Sequence, residues 1–395
     1  MMEKKSIRDI DVRGKRVLVR VDFNVPIDEK SGAIMDDSRI KASLPTIQYL
    51  INQEAKVILC SHLGRPDGKP DKKYSLSVVV TRVAGILGKP VAFTSDCIGE
   101  EVESAVRSLK NGDILLLENL RFHAEEEKND PDFAKKLAGL ADVYVDDAFG
   151  TAHRKHASIV GVARYLPAVA GLLLEKEIVA LGRLVTNPEH PFGALLGGAK
   201  ISDKVALMQN ILGKVDVLLV GGGMAATFLK ARGYEIGQSL FEEDLVETAK
   251  NIMAQANGRV QLILLQDAVV TNEVSEKGTY EVVEIQSVPK NKKIVDIGPK
   301  TIDAFKEELE KCRAIFWNGP MGIYEIAQFA NGTQAMAKLL ASLKASTVIG
   351  GGSTADIITS MGLAGKMTFV STGGGASLSF LSGEKLPGVE ALQDK

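Results

Sequence analysis

The sequence predicts an α/β protein made of two doubly wound, parallel-sheet lobes, and three observations carry that expectation. Short, almost continuously apolar runs alternate with longer helix-period stretches along the whole chain, as strands buried on both faces of a parallel sheet require. Loops following the runs are rich in arginine and histidine in the first half, whereas glycine triplets mark the second half. At 395 residues, the chain exceeds the length over which one hydrophobic core usually keeps growing, so two domains are expected.

In chain order, the strand candidates of the first half are 17–23, 55–61, 90–93, 114–119 and 142–148. Those of the second half are 192–198, 215–222, 261–270, 294–298, 314–319, 347–352 and 367–373. Helical stretches at 132–141, 202–214, 223–233, 243–256 and 301–312 lie between them, which predicts sheets covered by helices on both faces. The helix-like segment 171–190 separates the arginine-rich part from the glycine-rich part. It is the expected connector between a first lobe, 1–170, and a second, 191–375.

Composition narrows the class. Hydrophobic residues make up 45% and charged residues 25%, an ordinary balance for an α/β enzyme, and the formal net charge of −2 gives no basic surface for nucleic acid. Any anion site must be local. Cys60, Cys97 and Cys312 are odd in number and widely spaced, which fits a reducing cytoplasm better than a disulfide framework. The N-terminus lacks the apolar core of a signal peptide, and the most apolar stretch, LPAVAGLLLE, is too short to span a bilayer.

In open parallel sheets, ligands bind beyond the carboxyl ends of the strands. Asp22, Asn24, His62, Arg65, Arg121, His153 and Arg154 all follow strand-like runs, and Arg39 opens a helix-like stretch, so one sheet edge would gather them. A single arginine of this kind reads as a surface ion pair. Several converging planar guanidinium forks, with histidines interleaved, imply a small and multiply charged anion. His153 and His156 have the spacing of a metal-binding pair on a helix, but no cysteine or acidic cluster completes a ligand set. Cys60 lies inside an apolar run and reads as a buried, inert thiol.

The triplets Gly221-Gly222-Gly223, Gly350-Gly351-Gly352 and Gly373-Gly374-Gly375 each end an apolar run, where residues without a Cβ let backbone N–H groups approach phosphate. No Gly-Lys pair satisfies the P-loop pattern. Gly221–Ala226 and Gly350–Ala355 fit the relaxed dinucleotide pattern, but the strand after Gly350 ends in Ser371-Thr372 without the acid that would hold a ribose. Lys200 and Lys204, four residues apart after a strand, suit nucleotide phosphates. Asn318 begins a glycine- and proline-rich bend, and Glu325 follows at an expected helix start, where it would either accept ribose hydroxyl hydrogen bonds or complement the helix dipole.

The motifs RVDFNVP, DDSRIKASLPTI, SHLGRP, LENLRF, DAFGTAHRKHAS, GGAKISDK, DIGPKT, WNGPMGIYE, STGGGASL and LPGVEAL, in this order over essentially the whole chain, resemble those of phosphoglycerate kinases. The resemblance implies two Rossmann-like lobes joined by a helix, with residues 376–395 returning to the first lobe. It implies reversible phosphoryl transfer between 1,3-bisphosphoglycerate and ADP, with Mg²⁺, in a monomeric cytoplasmic enzyme whose lobes close on a hinge. Asp22, Asn24, Arg39, His62, Arg65, Arg121, His153 and Arg154 would hold 3-phosphoglycerate, with Arg20 and His156 in the same basic patch. Lys200, Lys204, Gly222, Gly223, Asn318, Glu325, Gly351, Gly352, Ser353 and Thr354 would hold the nucleotide. Arg39, Lys200 and the amides of Gly374 and Gly375 would serve the transferring group. A second reading, a hinge-closing binding module without chemistry, has no need of Arg39 and Lys200 as cations between two ligands.

The chain departs from the family pattern at two positions. Ser353 stands where an aspartate or glutamate usually serves the metal–nucleotide, which leaves Asp356, one helical turn on, as the candidate carboxylate for magnesium. Ser379 stands where a glutamate is common.

Overall fold

The computed structural model describes residues 4–395. It divides into two compact units, Met1–Val179 with Lys385–Lys395, and Ala180–Glu384. Helix Leu172–Thr186 runs across the first boundary, on the segment expected to be the connector.

Among the described residues of the first unit, the strands are β1 (Arg16–Arg20), β2 (Lys56–Cys60), β3 (Ala92–Phe93), β4 (Ile114–Leu116), β5 (Val143–Asp146) and β6 (Ala168–Ala170). They pair in parallel in the order β3-β4-β2-β1-β5-β6. The chain leaves β1 toward β2 on one side and later returns to β5 on the other, so a switch point opens at their carboxyl ends. The register sets Arg20 beside both Cys60 and Asp146, and the loops that follow all begin on one edge. Valines 17, 19, 57 and 145 bury one face of this sheet together with Ile40, Ile47 and Leu50 of helix Ser38–Asn52, whose three-and-four spacing turns them inward.

The second unit contains β7 (Phe192–Leu196), β8 (Val217–Val220), β9 (Gln261–Ile263), β10 (Asp267–Thr271), β11 (Tyr280–Glu284), β12 (Lys293–Ile297), β13 (Ala314–Asn318), β14 (Ser346–Gly350) and β15 (Phe369–Val370). Six of these form a parallel sheet in the order β15-β14-β13-β7-β8-β9, with its reversal between β7 and β13. Leu196 registers with Val220 and Asn318, and Asn318 with Gly350, so every glycine-rich loop starts just past one edge.

Three features differ from the sequence expectation. The run 261–270 is not one strand: it breaks after Ile263, and Asp267–Thr271 joins an antiparallel sheet of order β11-β10-β12. An apolar run records burial but not the partner sheet. Strand β11 was not signalled at all, because four of its five residues are exposed. The returning segment is Lys385–Lys395 rather than 376–395. Residues 376–384 stay in the second unit, where Asn210 Nδ2 donates to the Leu381 carbonyl at 2.5 Å.

Asp147, directly after β5, caps the linking helix. Its Oδ1 accepts from Leu173 N at 2.9 Å and Leu174 N at 3.4 Å, while the Thr46 hydroxyl bonds this carboxyl and accepts from Leu172 N at 2.9 Å. Oδ2 is buried without a hydrogen-bond partner. Any side chain at Gly171 would place its Cβ 2.1 Å from Oδ1. Burial pushes this carboxyl up to about 8, overriding its hydrogen bonds. Because the folded value is raised, the folded state keeps a proton that the unfolded chain has released, and the stability it contributes is lost as pH rises from about 4 to about 8. Asp147→Asn keeps an acceptor but cannot ionise. Its melting temperature relative to wild type should climb between about pH 5 and about pH 8 in scanning calorimetry, and a pH-independent difference would show that Asp147 does not titrate there.

Candidate active site

The first sheet's switch point brings the arginine and histidine residues together. Arg39, in the first turn of helix Ser38–Asn52, donates from Nη1 to Asp22 Oδ2 at 2.7 Å. Asn24 Oδ1 accepts from Gly64 N at 2.9 Å, and Arg121 Nη1 donates to the Gly64 carbonyl at 2.8 Å, which ties the loops after β1, β2 and β4 into one frame. Arg20 is 1% exposed and donates from Nη2 to His62 Nδ1 at 3.1 Å. Arg65 is exposed, and His153, Arg154 and His156 are half-buried in the loop after β5.

The electrostatics confirm a local concentration of positive charge. His62 is held well below the usual histidine range, first by burial and then by Arg20, Arg121, Arg154 and Arg39 together. His156 is pushed down to about 3 by burial, with Arg121, Arg154 and Arg20 adding to it. Both imidazoles are therefore neutral near pH 7. Burial also lowers Arg121 to about 10, which still leaves it charged. Its Nε and Nη2 are buried and meet no hydrogen-bond acceptor, although Glu127 Oε1 lies 3.1 Å from Nε outside bonding alignment. Arg154 Nε is in the same condition. Buried guanidinium donors without aligned acceptors, among several other cations, are groups whose remaining requirement an anion would meet.

In the second unit, the loops after β7, β8 and β13 touch through bare backbone. Gly222 has φ of +66°, and a Cβ on it would lie 2.6 Å from Gly198 N and 2.7 Å from the Pro320 carbonyl oxygen. Gly319, at φ +92°, would bring a Cβ within 2.3 Å of the Gly197 carbonyl oxygen. Only glycine permits this packing. Above it opens a cavity of about 390 Å³ whose lining includes Gly222, Gly223, Leu240, Val274, Ile323 and Glu325. That volume and apolar wall suit a flat heterocycle. Glu325 is exposed at its margin. Lys204 is 7% exposed, and its Nζ lies 3.7 Å from the Cβ position of Gly198, so its ammonium stands against the loop after β7. Burial lowers its pKa. Lys200 is exposed; nearby Glu242 is held below the usual glutamate range, against the effect of its burial, by hydrogen bonds from Ser202 and Ile201, with the Lys200 charge adding the smallest share.

The turn after β14 separates the predicted nucleotide residues into two kinds. Gly351, Gly352 and Ser353 open helix Gly352–Ser360, with Gly352 and Ser353 exposed. Asn318 and Thr354 are buried: Asn318 Nδ2 donates to the Gly350 carbonyl at 2.8 Å, and Thr354 Oγ1 accepts from Gly319 N at 2.7 Å. Their side chains brace the loops from beneath rather than lining the cavity. Gly374 has φ of +42°, and a Cβ on it would stand 3.8 Å from Gly352 N, so the loop 373–375 adjoins this helix start. Asp356 is exposed about one turn further along the same helix; burial raises the Tyr324 phenol, and the charges of Glu325 and Asp356 add to it.

Sequence reasoning missed two sets of residues. The apolar wall was invisible because loop leucines and valines carry no chemical signature; Leu240, 87% exposed, stands out only in three dimensions. Glu126, Ser158, Glu118 and Asn119, all buried, hold the anion site's loops, and a run such as EEEK reads in sequence as a solvated helix face. The Cys60 thiol, buried and pushed up to about 12, is inert as expected.

The sequence profile of the family described as phosphoglycerate kinase matches residues 7–384. The chain belongs to the phosphoglycerate kinase family. It is 55% identical to the phosphoglycerate kinase of Pelotomaculum thermopropionicum over 395 residues, covering all of both chains, and 55% identical to that of Dictyoglomus turgidum over 399 residues, again with full coverage. The solved structure of phosphoglycerate kinase from Coxiella burnetii superposes with a TM-score of 0.88 at 41% identity, covering 98% of each chain. The activity is accordingly that of an ATP:3-phosphoglycerate 1-phosphotransferase, the glycolytic exchange of a phosphoryl group between 1,3-bisphosphoglycerate and ADP. Among the described residues, no helix is long and apolar enough to cross a membrane.

Proposed function

We propose that the first unit binds 3-phosphoglycerate through Asp22, Asn24, Arg39, His62, Arg65, Arg121, His153 and Arg154, and that the second binds the nucleotide at its glycine loops. The observation that carries the first assignment is the set of four arginines acting on one neutral His62, with guanidinium nitrogens of Arg121 and Arg154 lacking acceptors. A ligand bearing both a phosphate and a carboxylate supplies acceptors for them. For the nucleotide, the cavity takes the base, Glu325 at its margin the ribose, and Lys200, Lys204 and the amides around Gly223 and Gly352 the phosphates. Asn318 and Thr354 position these loops.

Phosphoryl transfer asks a protein for in-line positioning and for charge at the transferring oxygens, without a covalent nucleophile. Arg39 and Lys200 supply that charge, and the amides of Gly374 and Gly375 hold the group in flight. Arg39→Ala and Lys200→Ala should each lower kcat by ~10²–10³ while changing either substrate's affinity far less. Near-wild-type kcat in either variant removes that residue from the transition state.

With its two substrates on separate units, the reaction requires the units to close along the linking helix. Small-angle scattering should give a smaller radius of gyration with 3-phosphoglycerate and nucleotide together than with either alone, at the mass of a monomer. Equal radii would refute closure. The free and buried state of all three cysteines favours a reducing, cytoplasmic setting.

Magnesium accompanies the nucleotide, where it neutralises phosphate charge. The donors present fit it sparingly: Ser353 offers a hydroxyl, and Asp356 is the carboxylate on that helix, which is enough for an ion that ordinarily takes one or two carboxylates plus phosphates. The cluster Asp96, Cys97 and His123 does not suit it, since Asp96 Oδ1 is already paired with His123 Nε2 at 2.6 Å and burial keeps the Cys97 thiol protonated. Asp356→Ala should raise the Mg²⁺ concentration needed for half-maximal activity, and Ser353→Asp should restore it in that background. An unchanged Mg²⁺ requirement would leave the phosphates as the ion's principal ligands.

A further inference from the structure

We propose that Glu126 and Ser158 are positioning residues which, through Arg20, fix the ring tautomer of His62 so that Nε2 carries the proton offered to the substrate anion. The inference rests on the assignment of 3-phosphoglycerate to this site.

The relay is built from four separate stretches of chain. Glu126 and Ser158 are fully buried, Arg20 is 1% exposed and His62 3%. The Ser158 hydroxyl donates to Glu126 Oε1 at 2.6 Å, and Ser158 N donates to Oε2 at 2.9 Å, so both carboxyl oxygens are used on one residue. With its proton committed to Glu126, the Ser158 oxygen turns a lone pair to Arg20 Nε at 2.9 Å. Arg20 Nη1 donates to the Val21 carbonyl and Nη2 lies 3.1 Å from His62 Nδ1. All three guanidinium nitrogens are thereby assigned, and the plane of Arg20 cannot turn without breaking a bond. The Tyr144 hydroxyl, donating to the Ser158 carbonyl at 2.7 Å, secures the serine's backbone.

The polarity of the chain follows from the chemistry of its members. A guanidinium donates and never accepts, so His62 Nδ1 must be the bare nitrogen, and in a neutral ring the proton then sits on Nε2. Burial first, and then the charges of four arginines, keep the ring neutral. Among the described residues, no protein group bonds Nε2, and that atom is not among those sealed from solvent. A rotated Arg20 would free Nδ1 to take the proton, and the ring would then present a lone pair to an anion. Neither Glu126 nor Ser158 is among the residues assigned to the substrate, although Glu126 Oε1 lies 3.8 Å from His156 Nδ1 at the edge of the basic patch. They act by denying Arg20 that rotation.

Ligand-free protein carrying ¹⁵N-histidine, read by long-range ¹H–¹⁵N NMR, reports the tautomer directly. His62 should be the Nε2–H form in the wild type. Ser158→Ala, which removes one oxygen, and Glu126→Gln, which offers one acceptor where the carboxylate offers two, should shift it to a mixture of tautomers. In the same variants KM for 3-phosphoglycerate should rise about 10- to 100-fold, with kcat and the KM for ATP within about twofold. Where Glu126→Gln fails to fold, Ser158→Ala carries the test. An Nδ1–H ring in the wild type, or an unchanged tautomer in folded Ser158→Ala, would overturn the relay. A shifted tautomer with an unchanged KM for 3-phosphoglycerate would uphold the relay and instead remove His62 from the substrate site.

Discussion

Mutual repulsion among clustered cations, two of them buried and two half-buried, is the constraint to which the first unit is fitted. Arg20, Arg39, Arg121 and Arg154 all act on His62, and like charges in a poorly solvated edge oppose folding unless something holds or neutralises them. The protein meets this with three carboxylates placed at different depths. Asp22 pairs directly with Arg39, Glu127 lies near Arg121, and fully buried Glu126 reaches Arg20 through Ser158. The balance stays incomplete at Arg121 and Arg154, whose buried nitrogens lack acceptors. An unfilled polar requirement of this kind is what gives a polyanion its binding energy, because the ligand removes a cost already present in the free protein.

In the second unit the loops assigned to the nucleotide are built from backbone instead, with Lys204 as the buried cation beside them. Its loops meet backbone to backbone, at separations that a Cβ on Gly197, Gly222 or Gly319 would violate. Amides are polar without being ionic, so they can be packed densely with little repulsion, and one half-committed ammonium, Lys204, stands behind them. Phosphates that must be exchanged at every turnover are suited by such a surface. A dense cluster of guanidinium groups would hold a leaving product too well.

The sheets and most site residues were legible in the sequence because a parallel strand buried on both faces is written as an apolar run, and its ligand-bearing residues come immediately after it. Legibility failed where that link is broken. Val282 and its neighbours in β11 face solvent, so nothing in YEVVE marks a strand. The run 261–270 is largely apolar, yet it serves two sheets, and long-range pairing decides that it divides around Gln266. Arg20 was visible as a cation, whereas Glu126 was not visible as its counterion: they are distant in sequence, and a fully buried glutamate looks in sequence like an exposed one. Asn318 stands out in sequence at a bend after a strand and Thr354 through the family resemblance, but neither signal says whether a group faces a ligand or a neighbouring loop.

Asp146 and Asp147 show how closely the anion site and the linking helix are joined within the first unit. Asp146 pairs in register with Arg20 and bonds Ala148 N at 3.0 Å, at the start of the loop that carries His153 and Arg154. The next residue, Asp147, caps the helix that leads out of the unit, and Gly171 leaves its carboxyl no room to move. Both side chains are fully buried and each has an oxygen without a partner. A hydrophobic pair would be cheaper to bury, so stability does not explain them. Their placement does: a displacement of the anion loop pulls on β5's end, and β5's end holds the first turn of the helix. Two consecutive residues at the end of β5 thus hold the start of the loop that carries His153 and Arg154 and the first turn of the linking helix.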